Sequence, residues 1–120
     1  MVDAGELEIA RDELRWLLAD CSEFIAAHVL LGELAVAEGD LALARGHYGA
    51  GYQLGLQALR RAGMPKPLLY SQPANRAFFE AGRGLVETLK KLNRQDMADE
   101  IVATLVELDP SAPLRLRPEL

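Results

Sequence analysis

A chain of 120 residues, half of them apolar, has material for one domain around one modest core. Only 6% of residues are aromatic, while Ala, Leu and Glu lose little freedom in a helical turn, so the composition points to an all-α class. The formal charge of −5 is uneven: residues 1–40 carry ten acids against Arg11 and Arg15, which excludes the concentrated basic stripe a duplex-binding surface needs there.

In chain order, Leu7, Ala10, Leu14 and Leu17 recur at helical spacing behind Asp3 and Glu6, a cap and its reciprocal acid, and predict a first helix over 3–20. Ser22 offers a fresh cap, and the apolar series from Phe24 to Ala35 predicts a second helix ending at Gly39. Gly39-Asp40 then reads as a helical-hairpin turn, with Gly taking a left-handed backbone and Asp capping the next helix. That third helix carries Ala44, Tyr48, Tyr52, Leu56 and Leu59 and stops near Gly63, five turns or more in length. Pro65, Pro67 and Pro73 mark the one substantial loop, and Pro73 suits the first turn of a fourth helix bearing Phe78, Phe79, Leu85 and Leu89. Asn93 can take the next left-handed stop. A fifth helix with Met97, Ala98, Ile101, Val102 and Leu105 ends before Pro110. Beyond it Leu114 and Leu116 alternate with Arg115 and Arg117 in an extended tail, 111–120.

The helical hairpins repeat. Leu31-Gly32, Gly39-Asp40, Ala44 and Tyr48 stand in the order used by tetratricopeptide repeats, and this stretch resembles that family. A second copy aligns Leu85-Val86, Asn93, Ala98, Val102 and Leu108-Asp109-Pro110, with Val86 in place of the small residue and Asn93 in place of the turn glycine. Ala10 and Leu14 precede Ala44 and Tyr48 by 34 residues, the family's period, so the first helix matches the second helix of a unit. The resemblance implies about two and a half repeats in a domain of residues 1–110: a half repeat at 3–22, a repeat at 23–62, the loop at 63–73 and a repeat at 74–110. Antiparallel hairpins would stack as a short right-handed superhelix.

Candidates for chemistry are few. Cys21 is the only cysteine, so no intrachain disulfide forms and a reduced, cytoplasmic setting is expected. Asp20 beside it would hold its thiol protonated, which makes it a poor nucleophile. No secretory leader opens the chain, and no apolar run nears the roughly 18 residues a membrane span needs. His28 and His47 fall in different helices and give no metal-ligand spacing, so no metal, cofactor or catalytic group is assigned. Gly46, Gly49, Gly51 and Gly55 in the third helix have neither the strand nor the Lys of a phosphate loop. Each costs a helix about 1 kcal/mol against Ala, a loss that close packing against neighbouring helices would offset.

By the resemblance, the first helix of each repeat lines a binding groove, which carries over to Ala26, Val29, Glu33 and Val36 on one helix and Glu80, Arg83, Glu87 and Lys90 on another. Val29 and Glu33 do not supply the Lys and Asn of a carboxylate clamp, so chaperone C-terminal peptides are not the expected ligand. The expectation is a non-catalytic module that binds a peptide or a partner helix. Trp16, Leu17 and Leu18 crowd one side of the first helix and raise the alternative of a homodimeric scaffold. A small enzyme is the third reading, and nucleic acid and membrane are not expected partners.

Overall fold

The computed structural model describes residues 4–64, 68 and 73–110, with side chains from Cys21 onward except those of Pro73 and Ala74. Four α-helices succeed one another: α1 (Ala4–Ala37), α2 (Leu41–Arg61), α3 (Pro73–Lys91) and α4 (Gln95–Leu108). There is no strand among the described residues, so the fold class is all-α as expected.

The expected break at Ser22 is absent, and the predicted first and second helices are one helix of 34 residues. Neither Gly nor Pro occurs from Glu6 to Leu31, so nothing forces the chain out of helix, and a capping residue alone does not interrupt one. Residues 4–22 therefore do not fold back on the residues after them. At 1.5 Å per residue α1 is roughly 50 Å long, and it accounts for the 50 Å long axis of the molecule.

The two turns between successive helices share one geometry. Gly39 (φ 78°) and Asn93 (φ 60°) are both left-handed. The next amide reaches back in each case, Asp40 N–H to the Ala35 carbonyl at 2.9 Å and Arg94 N–H to the Leu89 carbonyl at 2.8 Å. Asp40 also caps α2, its carboxylate accepting from Leu43 N–H at 3.0 Å, whereas Arg94 gives α4 no side-chain cap. Ala35, Ala44 and Tyr48 in the first hairpin and Leu89, Ala98 and Val102 in the second hold matching positions about the turn, and all six are buried.

The α3 helix packs on all three others, and α1 packs on α2 as well. Its first residue is Pro73, as predicted. Phe78 and Phe79 are fully buried, and Phe78 stacks on Tyr52 with ring centres 5.3 Å apart. The Pro-rich loop is anchored where Leu68, itself buried, donates its N–H to the Leu108 carbonyl at 2.8 Å and so satisfies the end of α4. The expected tail at 111–120 lies outside the described residues.

Glycine governs how closely the helices approach. A Cβ on Gly32 would lie 2.8 Å from the Tyr48 ring, and one on Gly84 has no room against the same ring, so Tyr48 of α2 is sandwiched between α1 and α3. Gly51 and Gly55 lie against Ala81 and Phe78 in the same close-packed way, but Gly46 faces open space and Gly49 meets only Leu85 at 4.0 Å. Close packing thus explains two of the four glycines of α2. In the second hairpin the close approach falls at Gly82 against Leu105, one turn before Val86.

Candidate functional site

Positions 26, 29, 33 and 36 recur at three-four spacing on one face of α1, and 80, 83, 87 and 90 do so on one face of α3. Tyr48 brings the centres of these two faces together. Its ring passes between Gly32 and Gly84, and burial raises its phenol pKa, helped by the charges of Glu33, Glu87 and Glu80 and opposed by Arg83. One phenol therefore senses charged side chains from both helices. Of the eight expected groove residues, Glu33, Glu80, Arg83 and Glu87 are the ones whose charge reaches Tyr48. Val29 and Val36 are half-buried against the core beside it, and Ala26 and Lys90 extend the two faces along their helices.

Charge in this cluster is mostly negative. Arg83 donates to the Glu80 carboxylate at 2.7 Å, an ion pair between residues one turn apart with both side chains partly exposed. That contact uses one terminal nitrogen of the guanidinium. The Arg83 Nε is buried and makes no hydrogen bond. Glu33 and Glu87 remain exposed on either side. Such a surface can orient a segment that brings a carbonyl or carboxylate oxygen to Arg83 and a positive charge to Glu33 or Glu87.

A second concavity lies between α2 and α4, a cleft of about 370 Å³ floored by Leu85 and Leu89 of α3. Gly49 lines it on the α2 side, where an added Cβ would meet only Leu85 at 4.0 Å, and Tyr52, Arg45, Met97 and Thr104 also line it. The Tyr52 phenol pKa is raised by burial, with the Thr104 hydrogen bond and Arg60 opposing. Sequence reasoning did not find this cleft, since it depends on α4 standing opposite the glycine face of α2.

Residue spacing also gives no sign that His28 and His47 meet. They lie across the α1–α2 seam with Nδ1 atoms 3.3 Å apart and ring centres 5.5 Å apart, so one imidazole donates and the other accepts. No group of three His, Cys, Asp or Glu side chains among the described residues has metal-binding geometry. Cys21 is half-buried. Trp16, Leu17 and Leu18 belong to the helical backbone of α1, but their side chains lie outside the described residues. No described helix is long and apolar enough to cross a membrane. No family model, curated protein or solved structure matches the chain.

Proposed function

We propose that this protein is a non-catalytic interaction module of the tetratricopeptide type and that the α1/α3 face receives a peptide or partner helix. The observation that carries the reading is the Tyr48 ring seated between Gly32 of α1 and Gly84 of α3, which adjoin Glu33 and Arg83 in the chain, with Glu80 and Glu87 on the same face as Arg83. Like turns at Gly39 and Asn93, like burial on either side of them, and the small residue Gly32 opposite Tyr48 are consistent with the repeat resemblance. Protein is favoured over nucleic acid because no Lys or Arg stands between Arg15 and Arg45, which leaves no cationic track along α1. A reduced cytoplasmic setting fits the single half-buried cysteine.

The test is selection of binding peptides from a random library on the purified chain, with affinities then measured on variants. Arg83→Ala and the Glu33→Gln/Glu87→Gln pair should each weaken a selected peptide by about tenfold, the effect of losing one charge-assisted contact. Peptides whose affinity ignores all three substitutions would refute the assignment of this face.

A further inference from the structure

The outer side of the first hairpin is a different surface. From Phe24 to Ala37 the exposed residues of α1 outside the α1/α3 face are Phe24, Ala27, Leu30, Leu31, Leu34 and Ala37, and all six are apolar. Phe24 is 66% exposed, Leu30 57%, Leu31 42% and Leu34 51%. A solvated helix face carries charge at such positions, and a contiguous apolar strip instead marks a contact surface. Phe24, Ala27, Leu31 and Leu34 have the three-four-three spacing of a helix-packing seam. Phe24 and Leu31 share a face with His28, and exposed Leu43 and Leu54 share one with His47. The His28–His47 contact joins the two rows into one surface across α1 and α2.

We infer that this surface docks an amphipathic helix of another protein whose apolar stripe is flanked by Lys and Arg. Charge decides the occupant. Between Arg15 and Arg45 there are five acids, Asp20, Glu23, Glu33, Glu38 and Asp40, and no base. Glu23 and Glu38 are exposed near the two ends of the strip. A second copy placed face to face would set these acids against their own kind, whereas basic flanks on a partner helix would neutralise them. The strip from Phe24 to Leu34 spans about 15 Å, room for roughly three turns of partner. Helix-in-groove docking suits it because α1 has no free backbone edge for an extended strand to pair with.

The seam residues Phe24, Ala27, Leu31 and Leu34 are not among those of the α1/α3 face, so substitutions at Leu31 and at Arg83 test the two assignments separately. The probe is a labelled 21-residue helical peptide with Leu at seam positions and Lys on the flanks, compared by fluorescence anisotropy with the same peptide carrying Glu for Lys. The Lys peptide should bind at least about tenfold tighter, and its affinity should fall with added salt. Leu31→Asp and Leu34→Asp, both solvent-facing, should each weaken it by about tenfold, while Leu31→Ser checks the same loss without a charge and Arg83→Ala leaves it unchanged. Binding that tightens in the Asp variants would be mere charge attraction and would overturn the proposal. So would equal binding of the two peptides, binding of neither, or a dimer in light scattering that Leu31→Asp dissolves.

Discussion

The two hairpins end in turns of the same backbone geometry yet present opposite chemistry to solvent. On α1 seven of the eight residues exposed between Phe24 and Ala37 are apolar, whereas on α4 five of seven are polar or charged: Gln95, Asp96, Asp99, Glu100 and Glu107. Turn geometry and core periodicity therefore do not dictate what a hairpin shows outside. The outward face of α4 is mostly charged or polar where that of α1 is mostly apolar.

Substitutions sharpen the contrast between what both hairpins need and what only one has. The largest effect is expected at Phe78, which is fully buried in α3 and stacks on Tyr52 of α2: Phe78→Ala should cost about 3–5 kcal/mol in urea unfolding. Next comes Gly84→Ala, whose methyl would meet the Tyr48 ring. Overpacking of about 1–3 kcal/mol outweighs the roughly 1 kcal/mol of helix propensity gained, so the melting temperature should fall. The unequal caps predict opposite signs. Asp40→Ala should lose about 1 kcal/mol by removing the acceptor of Leu43 N–H, and Arg94→Ser should gain a similar or smaller amount by adding one. At Gly46, where a Cβ meets open space, the Ala variant should gain at most about 1 kcal/mol.

Alkaline pH probes the Tyr48 centre. With its folded pKa raised above the usual value of 10.0, the unfolded chain ionises first. The contribution of Tyr48 to stability is complete below that value and declines as pH rises toward the folded pKa. Tyr48→Phe should flatten this decline in a series of melts from neutral pH upward.

Much of the fold was legible in the residues. Gly39, Asp40, Gly63, Pro73 and Asn93 each impose a local backbone preference that needs no tertiary partner, and all sit at helix ends as expected. Ser22 misled because a capping side chain favours a helix start only if the chain leaves helix there, and the Ala-, Leu- and Glu-rich sequence around it does not. Gly82 and Gly84 were missed because their importance comes from Leu105 and Tyr48, residues far along the chain that fill the space the missing side chains leave. Periodicity and resemblance put Glu33 on one helix face and Glu80, Arg83 and Glu87 on another. That Tyr48 lies between those two faces was not legible, since it depends on a ring from a third helix passing between two glycines.

The most direct test of the central claim is a nitrogen-15 NMR titration of the full chain with a library-selected peptide. If the α1/α3 face is the binding site, amide shifts will concentrate around Glu33, Tyr48, Arg83 and Glu87 and will be abolished in Arg83→Ala. Shifts confined to the α2/α4 cleft around Gly49 and Thr104, with Arg83→Ala binding normally, would contradict it.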